Sequence, residues 1–292
     1  MPRNNKKKIN FVAEIGCNHQ GNFKLALKMI DELKNFCNID FVKLQKRNNK
    51  ELLNKDKYNS PHPVPKNSFG KTYGEHREKL EFTFKQHNKI MKYCEKLKMT
   101  SFTSVWDLSS AKEIVKLKPK HVKVPSACNN NWELLKFIFK KYKCLIHISL
   151  GMTTKLEEKK IVSLAKRYKA NKRVVLYACT SDYPVQPDSI CLLEITNLIK
   201  KYGNIVKAIG FSGHHHGISA DIAAATLGAT WIERHFTLDR TMKGTDHAAS
   251  LEPDGARRLK RDLDLLSQTL KFKPNEILTC EKVQRQKLKF RS

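Results

Sequence analysis

INFVAEIGCNHQGNFKLALKMIDELKNFCNIDFVKLQ, residues 9–45, contains one full period of the pattern that decides the fold. Its two ends, INFVAEIG (9–16) and DFVKLQ (40–45), are short runs rich in Val, Ile and Phe, bounded by polar residues or Gly. Buried parallel strands read this way. Between them Phe23, Ala26, Ile30, Leu33 and Cys37 fall at i, i+3, i+7, i+10 and i+14, one apolar stripe of a helix. The same kind of run recurs as TSFTSVW (100–106), HVKVPSA (121–127), CLIHISLG (144–151), RVVLYAC (173–179), KAIGFSG (207–213) and WIERHFTL (231–238). Helical stripes recur at Ile90, Met91, Cys94 and Leu97, at Leu192, Ile195 and Ile199, and at Leu259, Leu263, Leu266 and Leu270. Eight strands alternating with helices within one domain length predict an α/β fold, a TIM (β/α)8 barrel over residues 9–271. An open doubly wound sheet would carry fewer strands and a Gly-rich first turn, which the segment after Glu14 lacks.

One connection breaks the rhythm. Residues 46–84 are polar, contain prolines and follow the second strand, which predicts a long structureless loop at the C-terminal mouth of the barrel. Its aromatic residues Phe69 and Tyr73 argue for a substrate-facing flap over plain disorder. Residues 1–8 and 272–292 read as basic tails.

The chain has 292 residues, 40% of them hydrophobic and 9% aromatic, a globular composition. No apolar run reaches the ~18 residues that span a bilayer. Glu14 and Asn18 interrupt what would be the apolar core of a signal peptide. The eight cysteines form no C-x-x-C pair, and several sit in apolar runs, as reduced, mostly buried thiols of a cytoplasmic protein would. A formal charge of +28 attracts polyanions and anionic substrates alike. Its lysines are scattered with no basic stripe, so specific nucleic-acid binding is not expected.

In such a barrel reactive side chains project from the C-terminal ends of the strands. Those ends offer Glu14, Asn18 and His19; Lys43 and Gln45; Ser104 and Asp107; Lys123 and Ser126; Ser149; Thr180, Ser181 and Tyr183; Ser212 and His214; Glu233 and His235. Lysines at 43 and 123 inside apolar strands are costly unless an anion answers them. Together with hydroxyls at 104, 126, 149, 181 and 212 they suit a phosphate and a carboxylate. Any one of these serines alone reads as an ordinary strand-end residue. His214 and His235 end neighbouring strands, where two imidazoles can share one divalent cation of unspecified identity. His215 and His216 read as loop residues.

The strand ends match a known pattern. AEIGCNHQGN (13–22), VKLQ (42–45), VKVPSA (122–127), ISLGMTT (148–154), CTSDYP (179–184), GFSGH (210–214) and ERHFTLDRTMKGTDHAAS (233–250) run in order along nearly the whole chain. In this set the sequence resembles the sialic acid (N-acetylneuraminate) synthase family, which also makes other nonulosonic acids. The resemblance implies a transferase that condenses phosphoenolpyruvate with an N-acetylmannosamine-like aldose and releases phosphate. Carried over by position, Lys43, Lys123, Ser104, Ser126, Ser149, Ser181 and Ser212 would hold phosphoenolpyruvate. His214 and His235 would bind a divalent metal, commonly Mn2+, with Mg2+ or Co2+ as alternatives. Glu14, Gln45, Tyr183 and Asp246 would face the sugar or the reacting centre. A homodimer is implied too, because longer members carry a C-terminal antifreeze-like domain that caps the neighbour's sugar site. The sequence here ends at Ser292, and the expectation is that residues 46–84 substitute for that cap. The family's strand-four loop often has an acidic residue where this chain has Cys128. Two alternatives stand beside this reading: a related condensing enzyme for another aldose, and a catalytically silent basic binding protein. Intact Lys43, Lys123, His214 and His235 argue against the latter.

Overall fold

Eight parallel strands, each paired with its sequence neighbours, close into a barrel where β1 meets β8 in the computed structural model, which describes residues 8–290. They are β1 (Asn10–Gly16), β2 (Phe41–Lys46), β3 (Thr100–Val105), β4 (His121–Val124), β5 (Leu145–Ser149), β6 (Val174–Cys179), β7 (Ala208–Gly213) and β8 (Trp231–His235). All eight fall on runs expected from the sequence. β4 is shorter than expected because Pro125 ends it and Ser126–Cys128 coil into a 3-10 turn. β8 stops at His235 because Phe236 turns aside to bridge Leu251.

Side-chain alternation divides each strand between two environments. Val12, Phe102, Val175, Tyr177 and Trp231 are buried together inside the barrel, with Phe41, Leu145 and Ala208 against them. Two residues further along the same strands come Glu14, Ser104, Cys179, Glu233 and Lys43. The interior thus changes from apolar at the bottom to polar at the top, along each strand's own period of two. The opposite faces, such as Ala13 and Ile15 or Val42 and Leu44, join the larger core beneath the helices. Gly210 is required here, since a Cβ on it would lie 2.8 Å from the Tyr177 ring.

The helices cover the barrel in sequence order, beginning with α1 (Phe23–Asn35), whose N-cap Asn22 accepts from the Leu25 amide. Residues 46–84 are not structureless, which corrects the expectation. They hold α2 (Asn49–Leu52), α3 (Lys55–Asn59) and α4 (Tyr73–Lys79). Asn54 and Thr72 supply local N-caps, and Tyr58 packs so closely under Gly74 that a Cβ there would sit 2.4 Å from its ring. The rest of the outer layer is α5 (Phe84–Lys96), α6 (Leu108–Ile114), α7 (Trp132–Lys141), α8 (Lys155–Arg167), α9 (Glu194–Tyr202), α10 (Ser219–Thr226) and α11 (Pro253–Thr269). Beyond residue 271 the chain forms one further helix, α12 (Thr279–Leu288), with no buried residue. Residues 1–7 of the expected N-terminal tail lie outside the described residues. Among those described, no helix is long and apolar enough to cross a membrane. All eight cysteines are free: Cys37, Cys94 and Cys128 are buried, Cys17, Cys144 and Cys179 half-buried, and Cys191 and Cys280 exposed, so fewer are buried than the expected majority.

Candidate active site

The polar ends of the strands surround a cavity of ≈ 260 Å³ at the C-terminal mouth. Glu14, Lys43, Gln45, Ser104, Lys123, Ser126, Ser149, Tyr183, Ser212, His214, His235 and Asp246 all line it. Of the residues expected to hold phosphoenolpyruvate, the metal or the sugar, only Ser181 falls outside that lining; of the other strand-end residues Asn18, His19, Asp107 and Thr180 do too. Ser181 lies across Gly151 from Ser126: a Cβ on Gly151 would meet Ser181 Oγ at 2.3 Å and Ser126 Oγ at 2.7 Å. The Gly151 amide also donates to Ser126 Oγ at 3.0 Å, so two hydroxyls and a bare backbone crowd one point.

The floor is a buried charge array. Lys43 and Lys123 are only 3% and 1% exposed, so their ammonium groups need anions. Lys43 Nζ lies 2.5 Å from Glu14 Oε2 and 3.7 Å from Glu233 Oε1, and donates to Ser104 Oγ at 2.8 Å. Lys123 Nζ reaches both Glu233 oxygens at 3.1 and 3.2 Å, and Ser212 Oγ donates to the same carboxylate at 3.2 Å. Below, Lys123 Nζ rests 3.7 Å from the centre of the Tyr177 ring, a cation–π contact. The Tyr177 hydroxyl is in turn tied to His147 Nδ1 at 2.8 Å.

The two lysines differ electrostatically. Burial opposes the Lys43 charge, but Glu14 and then Glu233 outweigh it and raise its pKa. For Lys123 burial wins over the attraction of Glu233, and the pKa falls. Burial likewise works against the Glu233 carboxylate, yet Lys123 and then Lys43 hold it down to about 2. Glu233 therefore joins both cations. It stands among the strand-end residues in the sequence, where nothing local marks its role. The signal was there: two interior lysines call for two interior carboxylates, and Glu14 and Glu233 occupy the matching strand positions.

His214 and His235 meet at one side of the mouth, with ring centres 5.5 Å apart. Tyr183 packs 4.2 Å from His214 and 6.0 Å from His235. Burial, reinforced by His235, drives the His214 pKa down to about 3, so the ring stays neutral. Its Nδ1 lies 2.9 Å from the Thr180 carbonyl, which accepts the Nδ1 proton and leaves Nε2 as a free lone pair. His235 Nδ1 is buried with no hydrogen-bond partner. Such a pair suits a divalent cation completed by water and substrate, and among the described residues no three His, Cys, Asp or Glu side chains cluster to enclose one. Gly16 marks where strand one approaches: its φ is +56°, and a Cβ there would lie 3.2 Å from Glu14 Oε1, 3.4 Å from His235 Cε1 and 3.5 Å from Gln45 Nε2. These three side chains thus converge on one stretch of backbone.

Residues 46–84 supply the roof, with Tyr73 in the cavity lining and Phe69 outside it. Arg47, His62, Tyr73, His76 and Arg77 all line the cavity. Arg47 Nε bonds Glu81 at 2.6 Å, and its Nη2 donates to the Cys17 thiol at 2.9 Å. Arg47 and Arg77 flank the Trp106 ring at 5.6 and 5.5 Å. Neither arginine is legible as a cavity residue in the sequence, because a segment without periodicity says nothing of which side chains turn inward.

Other strand-end residues turn out to be supports. Asp107 caps α6, accepting from the Ser110 amide, and takes the Asn48 amide with its second oxygen. Asn18 donates to the Phe236 carbonyl and to Ser250 Oγ, pinning the loop that carries Asp246. His19 is stacked on Phe82. His215 is not a plain loop residue: it is buried behind β8, bonding Arg234, which also pairs with Asp221 at 2.5 Å. His216 remains exposed. Cys128 is buried outside the cavity lining, and burial lifts its thiol to about 12, so it offers no acid–base group at neutral pH.

Comparison with known proteins agrees with this geometry. Residues 29–274 match the model of the NeuB family. The chain is 36% identical to the human N-acetylneuraminate-9-phosphate synthase over 95% of its own length and 75% of that protein's. It is 32% identical to the N,N'-diacetyllegionaminic acid synthase of Campylobacter jejuni, covering 87% of this chain and 75% of that one. The crystal structure of the N-acetylneuraminic acid (sialic acid) synthetase of Leptospira borgpetersenii, in complex with citrate, superposes with a TM-score of 0.81 at 26% identity, covering 97% and 93% of the two chains. The chain therefore belongs to the NeuB family, alongside these synthases of sialic and related acids.

Proposed function

We propose that the protein condenses phosphoenolpyruvate with the open-chain form of N-acetylmannosamine or a related aldose, releasing inorganic phosphate and a nonulosonic acid. The observation that carries this reading is the pair of interior lysines on the cavity floor beside two facing imidazoles. Lys43 and Lys123, with Ser104, Ser149 and Ser212, bind and orient the carboxylate and phosphate of phosphoenolpyruvate, and the Ser126–Gly151–Ser181 corner receives oxyanion oxygens. An arriving anion can join Glu233 in answering Lys123, whose pKa burial lowers. Fixing both reactants in one cavity supplies the positional part of the rate enhancement.

His214 and His235 would hold the divalent cation, Mn2+ ahead of Mg2+ or Co2+, which supplies Lewis acidity at the aldehyde oxygen when bound. In the reaction C3 of phosphoenolpyruvate attacks the aldehyde carbon, the carbonyl oxygen becomes a hydroxyl, and positive charge develops at C2. Water adds to C2, and collapse of the tetrahedral adduct breaks the C2–O bond to phosphate. Glu14, at the strand end between Lys43 and His235, is placed to stabilise the developing cation or to take the proton of that water. Gln45, Tyr183 and Asp246 face the sugar. The test is phosphate release from phosphoenolpyruvate and Mn2+ across a panel of aldoses, with the product mass determined. A product heavier than the aldose by the pyruvate unit supports the proposal; no release with any aldose overturns it.

A further inference from the structure

Beneath the lysine floor stands a column of polar rings that the condensation does not use. Tyr177 and His147 are fully buried, and half-buried His121 ends the column at the N-terminal side of the barrel. His147 Nδ1 lies 2.8 Å from the Tyr177 hydroxyl, and His147 Nε2 lies 2.9 Å from His121 Nδ1. The hydroxyl has no other acceptor among the described residues, so the balance of donors assigns its proton to His147 Nδ1. His147 Nε2–H then donates to His121 Nδ1. Burial, and after it His121, keeps the His147 ring neutral, as this one-way chain requires. Phe102 stacks on His147 at 5.0 Å and Trp231 meets it edge-on at 4.8 Å, which packs the lower end of the column in place. At the upper end the face of the Tyr177 ring lies under Lys123 Nζ, 3.7 Å from it. Around that ammonium stand Glu233 from β8, Lys43 from β2 and Cys179 from β6.

We infer that Tyr177 is a positioning residue for phosphoenolpyruvate binding: its ring, held from below by His147 and His121, props the Lys123 ammonium up against the cavity. The inference rests on the condensation proposed above and adds to it a residue outside the cavity lining. An ammonium carries three N–H groups, and the two Glu233 oxygens accept from its side. A carboxylate or carbonyl underneath would take up the remaining donor. A ring face attracts the charge without accepting a directed hydrogen bond of full strength, so an N–H stays available for a substrate oxygen. The histidines act in the same direction, because a phenol that donates its proton holds more electron density in its ring. A leucine at this place would supply bulk and no attraction. The buried amine would then give up its proton more readily, and an arriving anion would have to recharge it on binding.

The test measures phosphoenolpyruvate affinity by calorimetric titration of the full chain, together with the KM of each substrate, for wild type, Y177L, Y177F and a series in which the Y177F ring carries one, two or three fluorines. Fluorine drains the negative face of the ring and hardly changes its shape, so a residue that only fills space gives a flat series. Y177F is expected to bind phosphoenolpyruvate within about 3-fold of wild type, and three fluorines to weaken it about 10-fold further, the size of a desolvated cation–π contact. Y177L should lose at least as much, and the KM for the aldose should stay unmoved throughout. Unchanged phosphoenolpyruvate affinity across the fluorinated series overturns the inference, and so does an aldose KM that rises in step. A Y177F protein as weak as Y177L overturns it too, since the ring face would then count for nothing. If Y177L fails to fold, the fluorinated series decides the matter. Wild type that binds phosphoenolpyruvate but releases no phosphate with any aldose overturns the condensation and leaves this inference standing; wild type that does not bind it overturns both.

Discussion

Replacing Glu233 by Gln keeps the size of the side chain, removes its charge and turns one of its two acceptor oxygens into a donor NH2. Lys123, 3.1 Å away, then has no anion, while Lys43 keeps Glu14. Two routes give the cost. The folded protein holds Glu233 down to about 2 against an ordinary 4.5, and at ~1.4 kcal/mol per tenfold this gap amounts to about 3 kcal/mol. Removing one partner of a buried ion pair typically costs about 3–5 kcal/mol. Denaturant unfolding at pH 7 should therefore show E233Q less stable than wild type by about 3 kcal/mol. The sign with pH follows from the depressed pKa. The stabilisation is complete above about 4.5, where the unfolded carboxylate is ionised, and is lost as pH falls toward 2. The gap between wild type and E233Q should stay constant from pH 8 to 5 and narrow below 4.5. A gap under 1 kcal/mol at pH 7, or one that widens on acidification, would refute the central place given to Glu233.

Three further outcomes follow from the same geometry. H235A should lose metal-dependent turnover to below about 1% of wild type with an unchanged melting curve, because one imidazole cannot replace two; full activity across a Mn2+ titration would remove His235 as a ligand. G151A keeps an unstrained backbone but drives a methyl group against Ser126 and Ser181, so the KM for phosphoenolpyruvate should rise about 10-fold for a stability cost of about 1–3 kcal/mol. An unchanged KM would mean that this corner binds nothing. Burial holds His19 and His87 neutral down to about 3, helped at His19 by His87 and at His87 by Lys46, whereas the unfolded chain protonates near 6.5. Their contribution is complete above pH 6.5 and is lost below it, at about 2.7 kcal/mol per pH unit for the pair; flat stability between pH 6 and 4.5 would contradict their burial.

Much of the site can be read from the strands because alternation is a local property. Once Phe41 and Phe102 face the barrel interior, Lys43 and Ser104 must do so two residues later. The expected strand ends therefore reach the cavity with few exceptions. Asp107 and His19 share the same sequence neighbourhood, but a helix cap and an aromatic stack claim them. Residues 46–84 show the limit. Their helices are one or two turns long, too short for a 3.6-residue period to stand out, and local caps with a Tyr58–Gly74 contact hold them in place.

The barrel, the direction of its strands and the polar residues that crown them are legible in the order of residues alone. Those features follow from burial pattern and chain chirality, which act over a few residues at a time. Packing across the closed barrel is what lets Glu233 bridge two lysines from strands far apart in sequence, brings His214 beside His235, and sets Arg77 among aromatic rings. Each of these depends on distances across the closed barrel or between barrel and roof, and such distances exist only after the ring of strands has closed.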